Sequence, residues 1–233
     1  MPKPKLPKVD FEWTPKLAYA VGLLATDGNL SNDGRHIIMR SAEIPMLKTF
    51  RDCLRLKNKI GYTRRQGGYR VQFGDVQFYN WLLKIGLFPA KSYTIAKIDV
   101  PDRFFRDFLR GCIDGDGCIR TYTDSYNKYK GRIYSTQRLF IRIFSASNAF
   151  VYWIQQKTRY LIQVPGSIII TGPAGEHNVT LYALQFAKRD SLKLIKWIYY
   201  RKDLPCLWRK RKIAQKAVEI ISKTKRREYA FIQ

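Results

Sequence analysis

The sequence predicts an α+β protein made of two similar halves, each with the order helix, two strands, helix, two strands, helix. Three observations support this fold class. A short motif occurs twice, a strand pattern recurs downstream of each copy, and the spacing of apolar residues alternates between helical and strand periods in the same order in both halves. The 233 residues are enough for one large domain or for two small domains that share a core.

The repeated motif is an apolar stretch that ends in Asp-Gly. Residues Ala20 to Gly28 read AVGLLATDG, and residues Leu109 to Gly117 read LRGCIDGDG. Each helix carries two small residues four positions apart on one face, which lets another backbone approach closely: Gly22 and Thr26, then Gly111 and Gly115. We therefore expect the two motif helices to pack against each other.

A second pair of landmarks lies downstream, where Val71-Gln72-Phe73 corresponds to Leu184-Gln185-Phe186. The chain is expected to divide into an N-terminal half with its motif at 20–28 and a C-terminal half with its motif at 109–117, namely residues 1–95 and 96–233. The second half is longer between the landmarks. Its extra residues fall in two stretches rich in turn formers, which we expect to be long hairpin loops: Thr123 to Gln137 and Thr171 to Asn178.

The elements of the first half follow from periodicity and from turn residues. Pro15 is placed at a helix start and Gly28 at its end. The remaining predicted elements are strands at Leu30, Ile37–Arg40, Ile60–Arg65 and Tyr69–Phe73 and helices at Pro45–Leu56 and Val76–Ile85. The second half repeats this order from Asp102, after a linker from Gly86 to Val100. A basic tail from Arg201 to Arg227 is compatible with a solvated helix face and with phosphate contacts.

The charge of the chain indicates its partner. Lys and Arg number 43 against 18 Asp and Glu, and the net charge of +25 favours a polyanion. The longest apolar run, Leu17 to Ala25, is too short to span a membrane, and Met1 to Trp13 lacks the apolar core of a signal peptide. We expect a soluble intracellular protein of the cytoplasm, the nucleoid or an organelle matrix. The cysteines and histidines show none of the close pairs that zinc sites use, so no structural zinc is expected.

The two Asp-Gly helix ends favour a cation site. If the motif helices pack together, Asp27 and Asp116 emerge side by side where helix carbonyls are unpaired and the helix dipole is negative. Carboxylates beside carbonyls, without histidine or thiolate, suit a hard ion such as Mg²⁺, and such ions support phosphodiester hydrolysis. A single Asp-Gly usually marks only a turn. Two copies, each closing a small-residue helix, favour the metal site.

These features resemble the LAGLIDADG homing endonucleases, specifically the single-chain members with two motif copies, over nearly the whole chain. The resemblance implies two pseudo-symmetric αββαββα halves packed through the motif helices, with antiparallel sheets that form a saddle over DNA. It further implies a monomeric endonuclease of intron homing that cuts both strands across the minor groove and leaves short 3′ overhangs. Its partner would be double-stranded DNA with a long, pseudo-asymmetric target site.

Carried over by position, the essential acidic residues of that family correspond to Asp27 and Asp116. Thr26 and Gly115 would supply metal-binding carbonyls, for Mg²⁺ or for Mn²⁺ or Ca²⁺ at the same sites. Lys188 corresponds to a lysine near the metal and the attacking water, whereas the equivalent position of the first half holds Asp75, so the two active sites are expected to be unequal. Glu43 and Ser147 are weaker candidates for ordering solvent, and an earlier acidic position of the motif holds Ala25 in one copy and Asp114 in the other.

Strand alternation predicts a surface that reads DNA. Apolar residues mark the core side of each strand, so their neighbours point outwards. Arginine and glutamine dominate this outward set, and their forked donors match guanine and adenine edges in the major groove. The predicted DNA-binding residues are Ser31, Arg40, Arg64, Arg65, Arg70, Gln72, Arg120, Tyr122, Arg142 and Gln185. Two alternatives are an RNA maturase and a catalytically silent DNA-binding protein on the same scaffold; the latter predicts that a motif aspartate is replaced, and neither is.

Overall fold

The computed structural model describes residues 8–64, 67–129, 132–174 and 179–230. The helices in these ranges are α1 Pro15–Asp27, α2 Ile44–Cys53, α3 Val76–Lys84, α4 Asp102–Asp114, α5 Asn148–Ile162, α6 Lys188–Ile198 and α7 Trp208–Ala230. The strands are β1 Gly28–Leu30, β2 His36–Ser41, β3 Ile60–Thr63, β4 Gly68–Gly74, β5 Gly117–Tyr129, β6 Arg132–Ser145, β7 Ser167–Ala174 and β8 Val179–Phe186. None of these helices is both long and apolar enough to cross a membrane.

The two halves have the same sheet topology. The first four strands form an antiparallel sheet in the order β1-β2-β4-β3, and the last four form another in the order β5-β6-β8-β7. In each sheet the strand that follows the motif helix pairs with the next strand through a glycine, Gly28 opposite Met39 and Gly117 opposite Ile143. The predicted α+β fold of two similar units is therefore confirmed.

The first motif helix is built as the sequence predicts. Thr14 accepts a hydrogen bond from the backbone N–H of Leu17 at 3.1 Å, and Pro15 occupies the first turn, where its missing N–H costs nothing. Every residue from Leu17 to Ala25 is buried. A helix that is apolar on all sides must be covered on all sides, so α1 runs through the centre of the molecule.

Each sheet packs one face against helices and leaves the other open. The strand residues predicted to face the core are buried: Leu30, Val71, Phe73, Ile119, Ile141, Ile143, Leu184 and Phe186. Because side chains alternate along a strand, the residues between them lie on the opposite face. That face is called the outer face below, and it carries the strand arginines and glutamines.

Two parts of the second half differ from the sequence expectations. The stretch from Thr123 to Gln137 is not a loop, because β5 and β6 stay paired as far as Tyr129 opposite Arg132, with a bulge between Asp124 and Asn127. From Thr171 onwards, pairing with β8 also continues, to Ala174 opposite Val179. The basic tail contains a long helix, α7, in line with the helix face considered for it, and this helix contacts β5.

Candidate active site

The two motif helices cross in direct backbone contact at their glycines. A Cβ atom on Gly22 would lie 2.1 Å from the carbonyl oxygen of Phe108, and one on Gly111 would lie 2.2 Å from that of Tyr19. Atoms cannot approach so closely, so both positions require glycine. The predicted packing of the small-residue faces is confirmed, and it fixes how the C-terminal ends of α1 and α4 meet.

Those two helix ends bring the motif aspartates into one site. A Cβ atom on Gly115 would lie 2.0 Å from Thr26 Oγ1 and 2.6 Å from Asp27 Oδ2, so the end of α4 touches the end of α1. Thr26 Oγ1 donates back to the carbonyl of Leu23 at 3.0 Å, which turns the threonine towards its own helix. The Asp27 carboxylate therefore lies at the contact between the two halves, with Asp116 beside it.

Burial makes ionisation of both carboxylates unfavourable, and the charge of Asp116 adds to this effect at Asp27. Burial, followed by the negative charge of Asp116, raises the pKa of Asp27 to about 7. Burial also raises the pKa of Asp116, although its side chain is the more exposed of the two. Two desolvated carboxylates side by side are stabilised by a cation between them, which favours the ionised form of both.

The donor set fits a hard cation. Among the described residues, no group of three or more His, Cys, Asp or Glu side chains forms a metal cage. A cation here would depend on Asp27 and Asp116, on carbonyl oxygens at the helix ends and on oxygens from water or a ligand. Mg²⁺ is bound in this way, by one or two carboxylates with several waters and phosphate oxygens.

Lys91 reaches this centre from the segment expected to be a linker. Ala90, with a φ of 53°, leads into a single 3₁₀ turn from Lys91 to Tyr93. Lys91 is only 5% exposed, and its ammonium group donates to the carbonyl of Gly28, directly after Asp27. Burial lowers its pKa to about 8, while the charges of Asp116 and Asp27 act in the opposite direction.

Lys210 reaches the same centre from the first turn of α7. Its ammonium group donates to the carbonyls of Ile113, Asp114 and Gly117 at 2.8, 2.7 and 2.7 Å, and to that of Gly115 at 3.3 Å. Burial lowers its pKa, and the charge of Asp114 opposes this shift most strongly. The lysine thus occupies the helix end where unpaired carbonyls and the negative helix dipole attract a cation.

The buried carboxylate of Asp114 holds the segment that carries Lys210. It accepts hydrogen bonds from the backbone N–H of Leu207 at 2.6 Å and from the hydroxyl of Tyr19 at 2.9 Å. Burial raises its pKa to about 6. The equivalent residue of α1 is Ala25, which offers no such anchor.

Sequence reasoning missed both of these lysines. Lys91 lies in the stretch assigned to a linker, and Lys210 lies in the stretch assigned to a tail. A weak signal was present, because each lysine follows a proline by a few residues, Pro89 and Pro205, after the last strand-helix pair of its half. If these two segments had been aligned as part of the sequence repeat, Lys91 and Lys210 would have been recognised as equivalent residues.

The structure places Lys188 away from the aspartates. It begins α6, just after Phe186, which lies opposite Ile141 in the sheet. The part of β6 beside Asp116 is Ser145, four residues further along, or about 13 Å at the usual rise of a strand. The lysines that influence the two aspartates electrostatically are Lys91 and Lys210.

The weaker candidates have other partners. Glu43 accepts two hydrogen bonds from the guanidinium of Arg209, one residue before Lys210, with Nε at 2.9 Å. Ser147 caps α5 by accepting from Phe150, and its hydroxyl donates to the carbonyl of Ile95. Each therefore joins the first helix after the motif in one half to the lysine-bearing segment of the other half.

One cavity lies beside each aspartate. The cavity next to Asp27 is about 220 Å³ and is bordered by Arg40, Ser41 and the start of β4. The cavity next to Asp116 is about 300 Å³ and is bordered by the equivalent residues Phe144 and Ser145. Each cavity therefore joins one aspartate to a residue of the outer face, Arg40 in the first half and Phe144 in the second.

The predicted DNA-binding residues fall mainly on the outer faces. Strand alternation gives the outer positions of the first sheet as Ser31, Arg40, Arg70 and Gln72, and those of the second as Arg120, Tyr122, Arg142 and Gln185. Tyr122 stacks on Phe140 with ring centroids 6.3 Å apart. Arg64 is exposed directly after β3, and Arg65 lies outside the described residues.

The fold and the site together define a pseudo-two-fold α+β protein with a pair of acidic helix ends between two basic sheets. No family profile matches the sequence, and a search among curated proteins found no relative. Among solved structures, the fold is that of the LAGLIDADG homing endonucleases, as the motif predicted. These matches are at 10–13% identity, so they establish the fold.

Two of the similar structures are the I-LtrWI LAGLIDADG homing endonuclease bound to target DNA and the meganuclease I-SmaMI bound to uncleaveable DNA. The first has a TM-score of 0.60 at 10% identity and covers 91% of each chain. The second has a TM-score of 0.61 at 12% identity and covers 94% of this chain and 92% of that one. A third, full-length DUF199/WhiA from Thermatoga maritima, has a TM-score of 0.52 at 13% identity and covers 97% of this chain and 68% of that one.

Proposed function

We propose that this chain is a sequence-specific DNA endonuclease that hydrolyses both strands of a duplex with divalent metal at Asp27 and Asp116. One observation carries the proposal: the two carboxylates meet at the touching ends of α1 and α4, between the buried ammonium groups of Lys91 and Lys210. The two halves, residues 1–95 and 96–233, each contribute one aspartate and one lysine. Because one polypeptide supplies both aspartates and both lysines, a single chain is sufficient, and we expect a monomer.

Each group at the centre has a defined part in the reaction. The carboxylates of Asp27 and Asp116, with the carbonyls of Thr26 and Gly115, would hold Mg²⁺, or Mn²⁺ or Ca²⁺ in its place. A bound Mg²⁺ supplies Lewis acidity towards a phosphate oxygen and lowers the pKa of its water. Lys91 and Lys210 would place positive charge near the pentacoordinate phosphorus of the transition state, where negative charge builds up, and their burial strengthens that interaction.

The outer faces supply the DNA-binding surface. The net charge of +25 and the arginines of both sheets suit a duplex whose affinity depends on neutralised phosphates. Two of the structures with this fold are themselves bound to DNA. We propose a long, pseudo-asymmetric target, cut across the minor groove to leave short 3′ overhangs.

The direct test is selection of cleaved sites from a randomised duplex library. The full chain is incubated with the library and Mg²⁺, and cut ends are captured and sequenced. We expect one consensus, with cuts in both strands offset by a few nucleotides. The same incubation in EDTA is the control and should yield no ends. Random ends, or ends that persist in EDTA, would contradict a metal-dependent specific nuclease.

One alternative is a DNA-binding protein on the same scaffold that does not cut. The same library separates it from the nuclease, since a binding protein would enrich a consensus by retention without producing ends. Two features favour cleavage. Both motif aspartates are present, and two buried lysines lie beside them, whereas a protein that only binds DNA needs neither desolvated group.

A further inference from the structure

We propose that the two sheets read guanine at different distances from the cut, through Arg40 and Arg70 in the first half and through Arg142 in the second. The inference rests on the proposed function, because it assumes that duplex DNA lies across both outer faces. It adds the rule by which the two halves of the target differ.

Equivalent positions in the two sheets follow from the register. Gly28, the first residue after α1, lies opposite Met39, and Gly117, the third residue after α4, lies opposite Ile143. Met39 and Ile143 are therefore equivalent. The residues after them, Arg40 and Phe144, lie nearer the aspartates, and the residues before them, Ile38 and Arg142, lie further away. We call these two levels of the outer faces the inner row and the outer row.

The inner row is basic in the first half only. Arg40 lies directly opposite Arg70 in the sheet, and two like charges opposite each other are unfavourable without an anionic partner. Arg40 Nε is buried, and it has no hydrogen-bond partner in the described part of the chain. Arg40 also borders the cavity beside Asp27, which places this row next to the cut.

The same row of the second half offers no donors. Phe144, which borders the cavity beside Asp116, lies opposite Ala183. Ala183 is fully buried, yet it alternates with the core residue Leu184 and so belongs to the outer face. No side chain at this level of the second sheet can recognise a guanine edge.

The outer row reverses this arrangement. In the second half, Arg142 Nε donates to Gln185 Oε1 at 2.6 Å, and the guanidinium lies 5.8 Å from the centre of the Phe140 ring. These contacts fix the plane of the group. Its two terminal nitrogens have no partner in the described ranges, so they are available to donate to O6 and N7 of one guanine, as arginine commonly does.

The outer row of the first half has Ile38 opposite Gln72. Ile38 is only 7% exposed and has no polar atom in its side chain. The amide of Gln72 matches adenine rather than guanine. Gln72 and Gln185 are equivalent, so the halves differ at this level in Ile38 against Arg142 and, on the neighbouring strand, in Asn29 against Cys118. The amide of Asn29 also matches adenine rather than guanine, so Arg142 is the residue that adds arginine donors at this level.

The spacing of the rows gives a numerical expectation. Two residues along a strand correspond to about 6.8 Å, and base pairs are stacked about 3.4 Å apart. The preferred guanine of the second half-site should therefore lie about two base pairs further from the cut than that of the first half-site. A palindromic target is excluded by this arrangement.

The test is a binding profile on duplexes that carry every single base-pair change of the selected site, measured in Ca²⁺ so that the result does not depend on cleavage. For the wild type, loss of each preferred guanine should weaken binding about 5- to 150-fold, the range of one bidentate contact. Arg142→Ile should remove the preference of the second half-site only. Arg40→Phe should remove that of the first half-site only.

A variant that introduces an arginine gives a gain of specificity, which a loss of folding stability cannot produce. Ile38→Arg should create a new guanine preference in the first half-site, at the mirror position of the Arg142 contact. Lys196→Ala, an exposed change on α6, is the matched control and should leave the profile unchanged.

Guanine preferences at mirror-symmetric positions, or a second half-site profile unaffected by Arg142→Ile, would overturn the inference while leaving the nuclease assignment in place. A wild-type protein that prefers no duplex would remove both.

Discussion

Lys91 and Lys210 occupy equivalent places at the ends of the two motif helices, but their surroundings differ. The ammonium group of Lys91 donates to one backbone carbonyl, that of Gly28. The ammonium group of Lys210 donates to four, at the end of α4 and the start of β5. The first lysine is thus positioned mainly by its own turn, and the second is fixed by the helix end itself.

The difference between the two lysine environments arises from the residue two positions before each motif aspartate. Asp114 anchors Leu207, three residues before Lys210, whereas Ala25 leaves the corresponding side of α1 without an acceptor. The two halves therefore have the same backbone arrangement but different charged and hydrogen-bonded groups beside the lysines. We infer that Lys210 serves both folding and chemistry, while Lys91 is freer to follow a phosphate.

Exchange of the two lysines for methionine should give the largest contrast. Lys210→Met leaves several buried carbonyls without a donor, which costs about 2–5 kcal/mol in the free energy of unfolding. Lys91→Met leaves only one, so its cost should be less than half as large. Urea denaturation of both variants measures this difference. Equal losses would contradict the unequal roles inferred here.

Asp114→Ala gives the second half the residue found in the first. It leaves the Tyr19 hydroxyl and the Leu207 N–H without their acceptor, at a cost of about 1–3 kcal/mol, partly offset by removal of a buried charge. Nicking of the strand that depends on Lys210 should slow more than nicking of the other strand. Tyr19→Phe is the control, since it removes one hydrogen bond but leaves the anchor of Leu207. If Tyr19→Phe slowed the same strand as much, Asp114 would not act through Leu207.

Asp27→Asn should make the metal-free protein more stable at alkaline pH. Folding raises the pKa of Asp27 from 3.8 to about 7. Across that window the unfolded chain releases a proton that the folded protein retains, so wild-type stability falls as the pH rises. At about pH 8 the variant should be more stable than the wild type, and near pH 4 the two should be similar.

The pH dependence is read from urea denaturation in EDTA. Addition of Mg²⁺ at the higher pH should raise the stability of the wild type more than that of the variant, because a ligand that binds only the folded state stabilises it. A variant no more stable than the wild type at alkaline pH would show that ionisation of Asp27 does not destabilise the folded protein.

The smallest effect is expected at the tie between the halves. Arg209 and Glu43 form an ion pair that joins α7 to α2, but both side chains are partly exposed. Arg209→Gln should therefore cost only about 0.2–1 kcal/mol. A matched change in an ion pair within one half, Lys157→Gln at Asp102, should have a similar effect on stability. Only the first should alter the relative rates of the two nicks.

The sequence predicted the parts of the fold that depend on local periodicity. Alternation along β4 and β8 identified which residues face the core, and the glycines of the motif predicted the helix contact that unites Asp27 and Asp116. It did not predict the length of β5 and β6. Turn-forming residues between Thr123 and Gln137 are held in strands by pairing with each other, which is a non-local effect that propensity does not include.

The lysines were missed for a related reason. Lys91 and Lys210 each bind carbonyls at the end of the motif helix of their own half, while the neighbouring residues Ile95 and Arg209 contact Ser147 and Glu43 of the other half. Such contacts leave no periodic pattern in the sequence. Lys188 was chosen by its sequence distance from the motif, but it follows the end of β8 that lies away from Asp116.

The claim that Asp27 and Asp116 form one catalytic centre is tested most directly by strand-resolved cleavage of a supercoiled plasmid that carries the selected target. Asp27→Asn and Asp116→Asn each remove a proposed metal ligand and no proposed contact to a base. Each variant should therefore bind the target with nearly the wild-type Kd and produce no linear plasmid in Mg²⁺. Linear product from either variant at a near-normal rate would contradict the two-aspartate mechanism.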